Sequence, residues 1–140
     1  MTTDTSNATS RLPLTTTQIA ILVGIGAALW LAAALMLRAL APMGVYDGLG
    51  RVALYVLTVP GTYPFILIAR AVARLKPDQI AIAVTVATAT AALLDGIALA
   101  WFPALYGSDA GQVAGAGAAI LWGAGVALVL GLAMNRSSNP

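Results

Sequence analysis

Apolar residues along the chain fall into four long runs, at about residues 17–40, 49–73, 79–102 and 111–134. A helix needs roughly 20 consecutive apolar residues to cross a bilayer, so each run is long enough to span. The linkers between the runs are short, which predicts that neighbouring helices are antiparallel. The pattern therefore predicts an all-α fold, an integral membrane four-helix bundle that runs up-down-up-down.

Polar segments flank this predicted domain of residues 17–134. Residues 1–16, MTTDTSNATSRLPLTT, are rich in threonine and serine, and residues 135–140 form a second, shorter polar tail. The composition of residues 1–16 favours disorder. The first apolar run is about twice as long as the apolar core of a signal peptide, so the beginning of the chain does not resemble one.

Composition agrees with this pattern and excludes several function classes. Hydrophobic residues make up 60% of the chain and charged residues 9%, whereas a soluble domain carries about 25% charged residues. The chain has no Cys, His or Glu, which removes the common zinc, haem and nucleophile–base arrangements. A net charge of +2 is too small to indicate nucleic-acid binding. We expect no enzyme activity, no cofactor and no nucleic-acid partner, with the lipid bilayer as surroundings.

The distribution of basic residues predicts the orientation. Cytoplasmic loops are enriched in Lys and Arg. Five of the seven basic residues lie on the side that holds both termini and the second linker, namely Arg11, Arg70, Arg74, Lys76 and Arg136. Only Arg38 and Arg51 fall on the opposite side. We therefore predict a multi-pass protein of the inner (plasma) membrane with both termini in the cytoplasm.

Aromatic residues support the position of the outer boundary. Tyr46, Trp101 and Tyr106 all lie at or beyond the outer end of an apolar run. Tyrosine and tryptophan rings prefer the membrane–water interface. We expect these three rings to lie at that interface.

Small residues recur every four positions in the first and fourth runs. The rows are Ala20, Gly24, Ala28, Ala32 in the first run and Gly111, Gly115, Ala119, Gly123, Ala127, Gly131 in the fourth. Small residues let helix backbones approach closely in lipid. Two interpretations stay open for the fourth run: packing inside the bundle, or a homo-oligomer through Gly115, Gly123 and Gly131.

Asp95, in the stretch AALLDGIALAWFP, is the only acid inside a predicted span. It lies eight residues before Pro103, or roughly 12 Å below the outer surface at 1.5 Å per residue. Pro60 and Pro64, with Gly61 between them, lie at a similar depth, and prolines remove backbone donors. We expect this stretch, TVPGTYP, to kink or partly open the second helix.

A polar seam around Asp95 is the candidate functional site. Its proposed members are the acid, two outer arginines, hydroxyl groups and the helix break, namely Asp95, Arg51, Arg38, Thr88, Tyr63, Thr62, Pro60 and Gly61. In one interpretation Asp95 pairs with an arginine or accepts hydrogen bonds and fixes helix register. In the other it binds a proton, a cation or a ligand, because intramembrane acids are often functional.

The stretches TVPGTYP, LLDGIALAWFPALYG and LWGAGVALVL together resemble a bacterial family of small four-helix integral membrane proteins known only as a domain of unknown function. The resemblance covers most of residues 17–134 and implies a fold and a membrane location, but no activity. The small multidrug resistance transporters also have four short helices. Their essential first-helix glutamate has no counterpart here, because the chain contains no Glu.

Two functions follow as hypotheses. The first is a non-enzymatic accessory or interaction protein of the membrane. The alternative is an oligomeric small transporter or channel that uses Asp95 and the Pro60–Pro64 helix break, since broken helices near an acid are typical of transport sites.

Overall fold

The computed structural model describes residues 13–136 of the chain. It contains the helices α1 (Thr16–Leu40), α2 (Gly48–Val72), α3 (Ile80–Trp101) and α4 (Ala110–Met134), with short 3-10 turns at Ala41–Met43, Pro77–Gln79 and Pro103–Leu105. Each helix end lies within one residue of its predicted position. All four helices are long and apolar enough to cross a membrane. The predicted tails lie mostly outside the described residues, and Thr16 already belongs to α1.

The helices form a four-helix bundle in which most neighbours in space are not neighbours in sequence. Helix α1 packs along α3, α3 along α4, and α4 along α2, whereas α1 and α2 make few contacts with each other. Because consecutive helices alternate in direction, the pairs α1/α3 and α2/α4 are parallel and α3/α4 is antiparallel. Short linkers predicted the alternation of directions, but only α3 and α4 are both consecutive and closely packed.

Glycines lie where the helices approach most closely. A Cβ added at Gly26 of α1 would lie 2.5 Å from the carbonyl oxygen of Ala87 in α3, and one at Gly131 of α4 would lie 2.9 Å from the Cβ of Val84. Both distances are shorter than real Cβ contacts. Any larger residue would therefore push the helices apart, which is how small residues permit close packing in lipid.

The small-residue row of α4 faces the interior of the bundle. A Cβ at Gly115 would lie 2.5 Å from the ring of Tyr46, one at Gly123 would lie 3.8 Å from a methyl group of Thr58, and Gly131 packs on Val84. These contacts favour packing inside the bundle over a seam between copies at the same residues. The oligomeric state itself stays a prediction. The similar row in α1, Ala20, Gly24, Ala28 and Ala32, is exposed instead.

Helix α2 continues without interruption through Pro60 and Pro64, so the predicted partial opening of the helix is wrong, whereas the predicted kink stays a prediction. Each proline removes only one backbone donor, and in hydrocarbon no water is present to compete for the remaining helical bonds. The Thr58 and Thr62 hydroxyls also donate to the carbonyls of Leu54 and Thr58, each at 2.7 Å. These hydroxyls are therefore bonded within α2 itself.

The two ends of the bundle differ in composition. The basic end comprises the start of α1, the α2–α3 linker and the end of α4, and carries Arg70, Arg74, Lys76 and Arg136. The aromatic end comprises the α1–α2 and α3–α4 linkers and the adjoining helix turns, and holds Trp30, Tyr46 and Tyr106.

Amide side chains join the segments of the basic end. Gln18 completes the N-terminal cap of α1 and also donates to the carbonyl of Ala73, at 3.2 Å. Gln79, buried at 8% exposure, donates to the carbonyl of Pro13 and accepts from the Lys76 amide at 2.8 Å. Neutral amides can donate and accept together, so they hold the start of α1 on the α2–α3 linker.

Candidate functional site at Asp95

Asp95 is buried on α3, with 8% of its surface exposed. The Tyr106 hydroxyl donates a hydrogen bond to its Oδ1 at 2.5 Å. The same hydroxyl oxygen accepts a hydrogen bond from the indole Nε1 of Trp30 on α1, at 3.1 Å. The result is a directed chain from Trp30 through Tyr106 to Asp95, which joins α1, the α3–α4 linker and α3.

Tyr106 reaches Asp95 because the chain turns back immediately after α3. The 3-10 turn at Pro103–Leu105 ends with the Tyr106 amide donating to the carbonyl of Pro103, at 2.9 Å. Proline suits the first position of such a turn, since its fixed φ costs no further ordering. The Tyr106 side chain, fully buried, then packs among Ala34, Leu37 and Ala116.

The Tyr106 ring therefore does not face the bundle surface, where an aromatic ring would contact the membrane interface. Its ring points into the bundle and is 0% exposed, whereas Trp101 is 71% exposed. A tyrosine has an apolar body and a polar tip. Because the tip finds a carboxylate inside the protein, the whole side chain can be buried.

The environment of Tyr106 keeps its phenol protonated. Burial is the main reason that the pKa of Tyr106 lies above its usual range, and its hydrogen bond to Asp95 adds to the effect. Ionising the phenol would remove the donated proton and place a second negative charge beside a carboxylate. Tyr106 is therefore a hydrogen-bond donor at neutral pH and above.

Tyr46 forms the second aromatic contact at this end. Its hydroxyl donates to the carbonyl of Leu37 at 3.2 Å, which also accepts from the Ala41 amide at the end of α1. Its ring lies on Gly115, so it also couples the α1–α2 linker to α4. Burial raises the pKa of Tyr46 as well.

The arginines of the predicted seam do not pair with Asp95. Arg38 and Arg51 are both exposed. Within residues 13–136, neither arginine makes an ion pair. The interpretation of Asp95 as half of an ion pair with either arginine is therefore wrong. For Arg51 the physical reason is the helix order, which places α2 against α4 and not against α3. Arg38 lies on α1, which does pack along α3, but its side chain is on the exposed face near the end of that helix.

None of the other seam residues makes a hydrogen bond to Asp95 within residues 13–136. Tyr63 is 48% exposed, and the Thr62 hydroxyl bonds within its own helix. Pro60 and Gly61 lie exposed on α2, and Thr88 is half-buried on α3. The structure thus keeps the buried acid that the sequence singled out and replaces its predicted companions by Tyr106 and Trp30.

Sequence reasoning missed both partners for a specific reason. Tyr106 lies eleven residues after Asp95, beyond the end of the helix, and was assigned to the interface. Trp30 belongs to α1, which packs in parallel along α3. A tyrosine shortly after a proline turn was the available signal, because such a turn can return a side chain toward the helix it follows.

Two surface grooves lie near the aromatic end, and Asp95 lines neither. The larger, about 910 Å³, lies between α2 and Trp122 of α4. The smaller, about 110 Å³, lies beside Arg38 and the α3–α4 linker. Within residues 13–136, no group of three acidic, His or Cys side chains could hold a metal ion.

Comparisons with known proteins give no relative: no protein family, curated protein or solved structure matches the chain. Function therefore has to be argued from the site itself.

Proposed function

We propose that the chain is a non-enzymatic accessory or interaction protein of the inner (plasma) membrane, with both termini in the cytoplasm. The observation that carries the proposal is the engagement of Asp95. Its carboxylate accepts from a fully buried tyrosine, and neither groove reaches it. An acid that binds a transported ion needs access to that ion, whereas an acid that fixes helix register needs only its hydrogen bonds.

The charge distribution supports the orientation. Arg70, Arg74, Lys76 and Arg136 all lie at the basic end. Basic residues in short loops are retained on the cytoplasmic side. The aromatic end, with only Arg38 and Arg51, then faces the opposite side.

Flux through purified protein in liposomes tests the role of Asp95. We expect wild type and Asp95→Asn to show the same background permeability to protons, sodium and potassium, because asparagine keeps an acceptor for Tyr106. Specific flux in wild type that disappears in Asp95→Asn would replace the accessory role by the transporter alternative.

Stability measurements separate a hydrogen-bonded acid from an ion pair. Asp95→Ala removes the acceptor of Tyr106 and should lower the unfolding temperature in detergent, since a buried donor left without a partner costs about 1–3 kcal/mol. Arg51→Gln should leave that temperature unchanged. Equal losses in the two variants would restore the ion-pair interpretation.

Orientation is testable with single cysteines, because the chain has none of its own. Lys76→Cys and Ser108→Cys place thiols at exposed positions of the two ends. In intact cells a membrane-impermeant maleimide should label the cysteine at 108 and not that at 76. The reverse labelling would overturn the proposed orientation.

A further inference from the structure

The larger groove has a polarity that changes along its length. Two rows of α2 side chains line it, Arg51, Tyr55 and Val59 in one and Val52, Val56 and Pro60 in the other. Residues four apart lie above one another on a helix. The groove therefore starts with a cation and a phenol at the aromatic end and becomes wholly apolar toward the membrane interior.

The two polar side chains of the groove are available to a ligand. Arg51 is exposed, and within the part of the chain that the structure describes it makes no ion pair or side-chain hydrogen bond, even with Asp47 one turn earlier. The Tyr55 hydroxyl likewise makes no hydrogen bond within residues 13–136. Arg51 lies three residues inside α2, at roughly the headgroup level of a spanning helix.

The third wall of the groove is held rigidly. The ring of Trp122 on α4 stacks on Tyr55, with centroids 5.2 Å apart and planes inclined at 23°. Its indole Nε1 also donates to the Tyr55 carbonyl, at 3.0 Å. Two contacts therefore hold Trp122 beside α2 as a wall of the groove.

We propose that this groove binds one anionic phospholipid of the surrounding bilayer, with the phosphate on Arg51 and Tyr55 and an acyl chain along Val56, Val59 and Pro60. From Arg51 to Pro60 the helix rises roughly 13 Å, so the acyl chain would follow the groove along the membrane normal. Arginine binds phosphate oxygens through charge-assisted hydrogen bonds. The groove's order of groups, cation then phenol then hydrocarbon, is the order along a phospholipid.

Lipid retention during purification tests the proposal. The protein is reconstituted in nanodiscs with equal amounts of phosphatidylglycerol and phosphatidylcholine, transferred to neutral detergent, and its bound lipid is measured by native mass spectrometry. We expect wild type to retain phosphatidylglycerol in preference to phosphatidylcholine. Arg51→Gln should reduce that retention by about tenfold or more, because the phosphate loses its charge-assisted hydrogen bonds from the guanidinium.

Arg70→Gln is the matched control, since Arg70 is also an exposed arginine of α2 but lies at the basic end. It should retain the lipid as wild type does. Val56→Trp keeps the cation but fills the groove, and it should reduce retention of both lipids. Unchanged unfolding temperatures in Arg51→Gln and Val56→Trp exclude a loss caused by misfolding.

Three results would overturn the proposal. The first is equal retention of the two lipids by wild type, and the second is equal loss in Arg51→Gln and Arg70→Gln. The third is a wild-type dimer, by light scattering in detergent, that Val56→Trp converts to a monomer without changing the retained lipid. That result would make a second copy of the chain the occupant.

Discussion

Different contacts hold the segments together at the two ends of the bundle. At the basic end, several amide side chains bond to backbone groups: Gln18 donates to the Ala73 carbonyl, Gln79 donates to the Pro13 carbonyl, and Asn135 accepts from the Ala81 amide. At the aromatic end, one fully buried tyrosine fills the core and donates to a buried carboxylate. Contacts are spread over many groups at one end and concentrated in a single side chain at the other.

This difference has an energetic consequence. When one of several amide bonds is removed, the remaining bonds still hold the segments, and the partially exposed partners can bond to water. When Tyr106 is removed, the core loses a large ring and Asp95 loses its donor in a place that water reaches poorly. We therefore expect single substitutions to cost more at the aromatic end than at the basic end.

Tyr106→Ala should give the largest loss of stability. Truncating a buried aromatic ring costs about 3–5 kcal/mol in protein cores, and the unpaired carboxylate adds to this. Thermal unfolding in detergent, followed by circular dichroism, measures the effect. Tyr63→Ala, which truncates a tyrosine that is 48% exposed, is the control and should change little. Similar losses in the two variants would contradict the view that the aromatic end depends mainly on Tyr106.

Gly115→Ala should give the next largest loss. The added methyl group would lie 2.5 Å from the ring of Tyr46, so the ring or the helix has to move, and such overpacking costs about 1–3 kcal/mol. Gly125→Ala lies in the same helix with no atom within 4 Å of the added group. Because alanine is the better helix former, this control should match or exceed wild type in unfolding temperature.

The stability of the protein at alkaline pH should depend on the two tyrosines of the aromatic end. Burial raises the pKa of both Tyr106 and Tyr46, so the folded state holds these protons more tightly than the unfolded state. Their contribution is complete below the unfolded pKa of about 10 and is lost as pH rises above it. For Tyr106 the loss should approach about 1.4 kcal/mol per pH unit, and Tyr46 adds a loss of the same sign.

Denaturant titrations at pH 8, 10 and 11 measure this alkaline loss. Tyr106→Phe should be less stable than wild type at pH 8, because it lacks the bond to Asp95, but should lose less between pH 10 and 11. Tyr46→Phe should likewise lose less stability than wild type between pH 10 and 11, by the amount that Tyr46 contributes. Parallel pH curves for wild type and both variants would show that neither tyrosine is protonated more strongly in the folded state.

The sequence predicted the helices well because hydropathy alone determines them. A run such as residues 111–134 has no charge to interrupt it, and the observed helix is Ala110–Met134. The same reasoning failed for Pro60 and Pro64, since the loss of two backbone donors did not outweigh the other helical bonds of α2.

The partners of Asp95 could not be predicted because they depend on helix order. Residues of α2 were the natural candidates at the same depth, but α2 packs on α4. The small-residue rows show the same limit. The row of α1, with Gly24, is exposed, whereas the row of α4, with Gly131, is internal. In lipid, apolar surface is acceptable on either side, so spacing alone does not reveal which face packs.

Gln79→Ala should cost less than Tyr106→Ala, and it tests the basic end directly. Its amide bonds the Pro13 carbonyl and the Lys76 amide, and a neutral hydrogen bond contributes about 0.5–1.5 kcal/mol. Gln112→Ala is the matched change at the aromatic end, since that amide oxygen accepts from the Ser108 amide at 2.8 Å. Unfolding temperatures should fall by similar small amounts in both. If Gln79→Ala instead destabilised the protein as much as Tyr106→Ala, the basic end would also depend on one side chain, and the contrast between the ends would fail.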